Sequence, residues 1–491
     1  MAIGNMKILF SHSYFMRFDS KQWELGQPFP PLGTILAAAV LRDAGHEVFL
    51  FDSQFSHSAS EVIPFLEKHK PDIFVICDDS FNYLTKMCLT NMREAAFEMQ
   101  RLAKEHNCKV IVNSSDASDH YEKYLSCGAD FVIRGEVEIT LRELVNAIEK
   151  HADTSSIPGI VYRENEKIIQ REKRKVLEDL DSLPLPAWDL VDMEKYRSVW
   201  MERNGYFSLN MATTRGCPFK CNWCAKPIYG NRYNSRSPEK VVDELIFLKE
   251  KYNYDHIWFC DDIFGLAPGW VNKFARLVKE KNLSLKYKIQ SRADLLLQEN
   301  YIADLAASGC ETAWMGAESG SQKILDAMDK GTTVEQIREA TFLLKKYNIR
   351  PAFFLQFGYP GEAMDDIYQT IELLNELLPE DIGISVSYPL PGTKFYENVK
   401  SELSEKQNWT DSDEMKLMFR NTYSPGFYKA LHTYVHRNYR KHQGFQSFRK
   451  FFLAPARLQK HDFRRAASVF YYIPAVIRQE KRLKELEHAG S

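Results

Sequence analysis

Twice along this chain, short runs of uninterrupted apolar residues alternate with helical patterns, and that alternation constrains the fold more than any other feature. Between residues 6 and 150 the strand candidates are "KILF" (7–10), "VFLF" (48–51), "DIFVI" (72–76), "KVIVN" (109–113) and "DFVIR" (130–134). The stretches between them, such as "TILAAAVLRDAGH" and "REAAFEMQRLAKEH", repeat apolar residues at three and four, the period of a helix. A strand that is apolar throughout is buried on both faces, which requires a parallel sheet covered by helices on each side. Five such units predict an α/β, doubly wound, Rossmann-like domain whose ligand lies at the carboxyl ends of the strands. From about 205 to 390 the alternation returns in "SLNMAT", "HIWFC", "KYKIQ", "ETAWMG", "AFFLQF" and "GISVSY". Helices are expected near 238–252, 269–281, 299–308, 333–347 and 364–378. Six βα units suit a partial or complete parallel barrel with its chemistry at the strand C-terminal ends.

Between the two blocks, "YRENEKIIQREKRK" reads as a charged hairpin and "LEDLDSLPLPAWDL" as a proline-spaced linker. After about 400 the alternation is lost, and residues 416–484, rich in Lys, Arg, His, Tyr and Phe, predict several short helices. The expected organisation is a first domain over 1–150, a linker with a hairpin over 151–200, a barrel over 201–400 and a helical C-terminal domain over 401–491. A net charge of -2 gives no chain-wide bias towards nucleic acid. No run reaches the roughly 20 apolar residues of a membrane-spanning helix, and "MAIGNMKILFSHSYF" lacks the pattern of a secretory signal. Nine cysteines, an odd number in a chain this long, do not read as a disulfide scaffold, so a cytoplasmic setting is expected.

Three of those cysteines fall within eight positions of "TTRGCPFKCNWCAKPIYG" (213–230), directly after the strand "SLNMAT". Cys217, Cys221 and Cys224 therefore occupy the first loop at the mouth of the second domain. Three thiolates suit zinc or an iron–sulfur cluster. Structural zinc wants four ligands, and the next histidine is distant, at His256. A catalytic zinc with an open position and a chance group of core cysteines are the other readings, although Gly216, Pro218 and Lys220 mark a turn rather than a packed strand.

C-x-x-x-C-x-x-C at the end of a first barrel strand resembles the radical S-adenosylmethionine (SAM) superfamily. The resemblance implies a [4Fe-4S] cluster on the three cysteines, with the remaining iron free to chelate SAM and an electron cleaving the sulfonium to a 5'-deoxyadenosyl radical. It places Trp223 near the adenine. It makes Asp261 and Asp262, in "FCDDIF" (259–264), candidates for the methionine end of SAM. "QSRADLL" (290–296) and "GAESGSQKILDAMDKGTT" (316–333) carry Ser291, Arg292 and Glu318 towards the ribose and carboxylate of SAM. The alternative for Glu318 is to cap the helix after Ser319. In "FLQFGYPGE" (354–362), Gly358 lets the backbone approach a ligand closely, and "SYPLPGTKFY" (387–396) closes the barrel.

"FPPLGTILAAAVLRDAGHEVFLFDS" (29–53) and "GADFVIRGEVEITLREL" (128–144) resemble the cobalamin-binding domain fused ahead of the barrel in one radical SAM class. Gly33 and Thr34 open a helix at a strand end, where free backbone amides meet a polar ligand. Ser114 and Ser115 lie on the same edge, as do Gly135 and Glu136. The D-x-H-x-x-G motif that supplies a cobalt-ligating histidine is absent, Asp119 and His120 being adjacent, so the resemblance implies cobalamin bound without a protein imidazole. The glycine-rich loop after the fourth strand is replaced by "NSSDAS". A degenerate or purely structural domain is the alternative.

Together the two resemblances imply a cobalamin-dependent radical SAM enzyme, most often a methyltransferase acting on an unactivated carbon. They also imply a small-molecule or lipid-like substrate and a low-potential electron donor of flavodoxin or ferredoxin type. Cyclases, oxidases and rearrangement enzymes share the architecture, and a cluster- or cobalamin-binding regulator is the non-catalytic alternative. In the tail, basic residues such as Arg437, Arg449, Arg457 and Arg465 are interleaved with aromatics. Three readings stand for it: a cap over the barrel mouth, a substrate-shaping lid, and peripheral contact with anionic lipid through "ASVFYYIPAVI" (467–477). No RNA-binding motif is present, and nucleic acid is not expected as a partner.

Overall fold

The structure, a computed structural model, describes residues 5–87, 89–226, 228–403, 408–453, 458 and 460–488; Arg457 lies outside the described residues. The first sheet comprises β1 (Lys7–Ser11), β2 (Glu47–Phe51), β3 (Ile73–Cys77), β4 (Lys109–Asn113), β5 (Phe131–Ile133), β6 (Ile160–Glu164) and β7 (Lys167–Gln170). Their order is β2-β1-β3-β4-β5-β6-β7, with β1 to β5 parallel. The order reverses between β1 and β3, the switch point where doubly wound sheets open a crevice for ligands. The charged hairpin does not hang in a linker: β6 pairs antiparallel with β5, and β7 with β6, so it extends the sheet. Along β1 the side chains alternate, Ile8 and Phe10 entering one core and Leu9 another.

The second unit begins with β8 (Ser208–Met211), followed by a short antiparallel pair of β9 (Thr214–Arg215) and β10 (Asn234–Ser235). It continues through β11 (His256–Phe259), β12 (Tyr287–Ser291), β13 (Cys310–Glu318), β14 (Arg350–Phe357) and β15 (Asp381–Val386). The six long strands run in the order β15-β14-β13-β12-β11-β8, all parallel, so the sheet is a partial (β/α)6 barrel with β8 and β15 as its edges. Its helices include Pro238–Tyr252, Trp270–Glu280, Tyr301–Ala307, Val334–Lys346 and Met364–Leu377, close to the expected spans.

One hydrophobic core runs through both sheets, joining Ile8, Phe10 and Val75 to Leu209, Ile257 and Met315. The proline-spaced segment is packed between them. Trp188 donates its indole N–H to Glu244 at 3.1 Å, and Trp200 donates to the Pro28 carbonyl at 2.6 Å. At the carboxyl ends of the strands the two units interlock through charge. Arg215, 4% exposed, meets Glu136 at 3.1 Å and Glu138 at 2.5 Å, with Tyr229 against its guanidinium plane at 5.2 Å.

The tail is not a set of short helices but two long ones, Pro425–Leu453 and Lys460–His488, paired with each other. The first starts at the mouth, where Tyr428 packs on Gly358, and runs down the flank of the half barrel. Tyr439 donates to the Pro379 carbonyl at 2.8 Å and Gln443 to that of Glu380 at 3.1 Å, both just before the amino end of β15. The pair is therefore a flank rather than a cap.

Arg215→Ala leaves two buried carboxylates without a cation. The expected cost is about 3–5 kcal/mol, read as a lower denaturation midpoint of the cofactor-free protein, while Arg42→Ala at the exposed pair with Asp189 costs less.

Candidate active site at the junction of the two sheets

The cysteine loop is pinched at its base by β9 and β10, which pair Arg215 with Asn234 and Thr214 with Ser235. Gly216 has φ +75°, and a Cβ there would lie 2.4 Å from the Arg232 carbonyl oxygen, so only glycine turns the chain into the loop. Asp261, buried at the end of β11, fixes the approach: it accepts hydrogen bonds from the Thr213 and Thr214 amides at 2.7 Å each and from the Thr213 hydroxyl at 2.8 Å. Burial pushes its pKa up to about 6 against the pull of those bonds. The acidic pair expected at SAM thus divides. Asp261 clamps the loop, and Asp262 reaches across to Lys86 of the first unit at 2.6 Å.

Cys217, Cys221 and Cys224 are half-buried free thiols at this mouth. Burial raises the Cys217 thiol pKa and takes that of Cys224 up to about 11, so ligation has to draw protons off thiols that hold them firmly. Among the described residues no three His, Cys, Asp or Glu side chains converge as donors to one metal ion. A cubane does not ask that of them, since it spreads three cysteines over three irons.

Around the loop lies a row of charged side chains. Arg292 stacks over Phe219 at 3.7 Å, lies 3.8 Å from the Cys221 sulfur, and is braced by Asp294 at 2.9 Å and the Lys330 carbonyl at 2.9 Å. Lys330 in turn meets Glu318 at 2.7 Å, both side chains buried. Burial opposes the Lys330 ammonium, but Glu318 and Cys221 beside it hold its pKa above the ordinary value. Glu318 adopts φ +58°, a left-handed conformation a non-glycine residue rarely takes, where the register of β13 against β14 shifts. The neighbouring Gly316 is what makes room: a Cβ there would lie 2.6 Å from both the Glu318 carboxylate and the Lys330 ammonium. The helix after Ser319 starts at Gln322 with Ser321 as its N-cap, so Glu318 is not a cap. Lys330 was not singled out in the sequence, because its partner is fixed only once the helix Gln322–Ala327 folds back.

Two expected positions keep unsatisfied polar atoms. The Trp223 indole N–H and the Ser291 hydroxyl are buried without hydrogen-bond partners. Three free thiols on a pinned loop, with these two groups near the strand ends, fit an iron–sulfur cluster and SAM. Gly358 behaves differently from expectation. Its φ is +77°, and the space beside it is taken by Tyr428 at 3.2 Å and Leu417 at 3.3 Å, so its close approach is to the C-terminal segment. Its amide donates to Glu362 at 2.6 Å, a carboxyl whose pKa burial pushes up to about 8.

Opposite the loop, the first sheet's carboxyl edge has satisfied most of its own groups. The Gly33 amide donates to Asp79 at 3.1 Å and the Thr34 hydroxyl to the Cys77 carbonyl at 2.5 Å, so the Gly33 amide and the Thr34 side chain are both already engaged. Burial takes the Asp79 pKa up to about 6. Ser114 caps the helix Ser115–Asp119 through the Ala117 amide at 2.8 Å, while the Ser115 hydroxyl is buried without a partner. The Gly135 carbonyl accepts from Asn113 at 3.0 Å, and Glu136 is committed to Arg215. His120 lies 3.8 Å from Asp116, which is itself held by Arg93. Tyr229 closes the crevice, its ring 5.5 Å from Phe81 and its hydroxyl on Ser80. What is left between them is a cavity of about 10 Å³, the size of one water. The edge has the chemistry of a ligand site, and room for a macrocycle requires Tyr229 to part from Ser80 and Phe81.

Comparison with known proteins agrees with this layout. The Radical SAM superfamily matches residues 211–374, and the B12 binding domain matches residues 24–145. An uncharacterized methyltransferase of Pyrococcus horikoshii is 29% identical over 392 residues, covering 78% of this chain and 82% of that protein. An anaerobic magnesium-protoporphyrin IX monomethyl ester cyclase of Synechocystis is 26% identical, covering 75% of this chain and 73% of that protein. The structure of the cobalamin-dependent S-adenosylmethionine radical enzyme OxsB with aqua-cobalamin and S-adenosylmethionine bound superposes with a TM-score of 0.72 at 17% identity, over 97% of this chain and 72% of that one. With a cysteine loop at the mouth of a half barrel and a doubly wound domain pressed against it, this chain belongs to the B12-binding-domain class of the radical SAM enzymes.

Proposed function

We propose that this protein is a cobalamin-dependent radical SAM methyltransferase that places a methyl group on an unactivated carbon of a small-molecule or lipid-like substrate. The observation that carries the proposal is the joining of the barrel mouth to the first sheet's carboxyl edge, through Arg215 at the base of the cysteine loop with Glu136 and Glu138, and through Asp262 beyond β11 with Lys86 at 2.6 Å. Two cofactor sites on separate folds are of use to one reaction only when their mouths face each other. When bound, the cluster with SAM supplies a hydrogen-abstracting carbon radical and cobalamin supplies the methyl group.

The chain's own residues do the positioning. Cys217, Cys221 and Cys224 are the cluster ligands. Trp223 and Ser291 offer an N–H and an O–H to SAM, and Glu318 and Arg292 set the charge where its ammonium and carboxylate dock. Before SAM arrives, Lys330 neutralises Glu318 and keeps that buried carboxylate from standing alone. The junction side chains exclude water from the space where a radical forms. A low-potential donor of flavodoxin or ferredoxin type supplies the electron. The cyclase relative favours a second reading, ring formation or oxidation on the same architecture.

The deciding measurement is product mass after anaerobic reconstitution with SAM and methylcobalamin: a gain of one methylene unit supports methyl transfer, and an unchanged carbon count with 5'-deoxyadenosine formed supports the second reading. Cys221→Ala abolishes cluster absorbance and SAM cleavage together, while Gly216→Ala keeps the helical circular dichroism and lowers cluster retention. Tyr229→Ala takes up hydroxocobalamin at least as fast as the parent, followed by the visible corrinoid band; slower uptake means that the tyrosine ring is itself a contact for the macrocycle.

A further inference from the structure

The long C-terminal helices carry an apolar surface that the site does not use. Past Gln443, anchored at the amino end of β15, the first helix continues for ten residues, about 15 Å along its axis, and the second helix returns beside it. From Tyr428 at the mouth to Phe452 at the far end is about 36 Å of helix. Phe445, Phe448 and Phe452 recur at three and four on the first helix, and Phe463, Phe470 and Ile477 recur at seven on the second; all are exposed. Phe452, Leu453 and Phe470 are 75%, 73% and 77% exposed. Ring contacts link the two stripes at the tip, Phe448 to Phe452 at 5.8 Å, Phe448 to Phe451 at 6.3 Å and Phe451 to Phe463 at 4.9 Å. Large aromatics left in water this far from the barrel's core serve no packing need of the fold.

The charge on this element is as unusual as its apolar surface. Residues 425–488 contain fourteen Lys and Arg against four Asp and Glu, a net charge of +10, so the remainder of a chain whose total is -2 carries -12. Arg449, Arg464, Arg478, Lys481 and Arg482 are exposed beside the aromatic stripes. No helix among the described residues is long and apolar enough to cross a membrane.

We propose that the tip and outer face of this helix pair dock on an anionic lipid bilayer, the aromatics entering the headgroup boundary and the basic residues facing the lipid charge. Exposed Phe and Ile flanked by Arg and Lys are what an element lying on a membrane presents, and each basic residue near such a surface adds to the attraction. A second copy of the chain suits the patch poorly, because two copies would bring +10 against +10. The aromatic tip lies at the far end of the first helix from the mouth, while the second helix returns to Ala430 through Gln479; the inference stands whatever reaction the site performs.

The test is co-sedimentation of the full-length protein with vesicles of phosphatidylcholine alone and of phosphatidylcholine with about one-third phosphatidylglycerol. The expected result is binding at least about tenfold stronger to the anionic vesicles, weakened by raised salt. The double variant Phe452→Asp with Phe470→Asp lowers that binding about tenfold with unchanged circular dichroism, and Arg478→Glu with Lys481→Glu lowers it further. Equal or absent binding to the two vesicles overturns the proposal. So does a concentration-dependent dimer in light scattering that the Phe452→Asp, Phe470→Asp variant abolishes, which would make the patch a contact between copies.

Discussion

Burying one guanidinium between two carboxylates is the constraint on which the rest of this structure depends. Arg215 belongs to the barrel, and Glu136 and Glu138 to the first domain. A charge this deep is tolerable only while its partners hold their places, so the pair of sheets has a single relative orientation at the mouth. Next to it, Asp262 and Lys86 make a second link, from the last position of "CDD" to the helix after β3. These links lie beside the cysteine loop, so the positioning of the cluster ligands and the docking of the two units are one problem with one solution.

The mouth is preorganised in a way that leaves specific groups unspent. Asp261 uses three hydrogen bonds to set the entry into the loop, and the strained backbone of Glu318 is paired with Lys330 across the gap that Gly316 provides. Against that saturated background, the unpartnered N–H of Trp223 and hydroxyl groups of Ser291 and Ser115 stand out. Buried polar groups are normally satisfied, so at these cofactor-facing positions an open donor is available to a bound molecule.

The strands were legible because each is a local apolar run whose burial needs no knowledge of its partner: "KVIVN" and "HIWF" read as strands alone. The cysteine loop was legible by spacing. What could not be read was which distant side chain each polar residue would meet. Asp261 and Asp262 are adjacent in sequence yet serve a turn and a neighbouring unit, and nothing in "FCDDIF" separates them. Gly33 does begin a helix at a strand end, but Asp79, from another strand's loop, already occupies its amide. The tail misled for the opposite reason. Its aromatics and charges spread around both helices, blurring the period, and only the pairing of Pro425–Leu453 with Lys460–His488 sorts them into an inner and an outer face.

The continuous core has a corollary. By family, the chain divides into a piece over 24–145 and a piece over 211–374. By packing it does not divide, since Trp188 and Trp200 seal a hydrophobic seam from Phe10 to Leu209. The two modules depend on each other, so swapping either half for that of a relative would expose the apolar surface that the seam now covers.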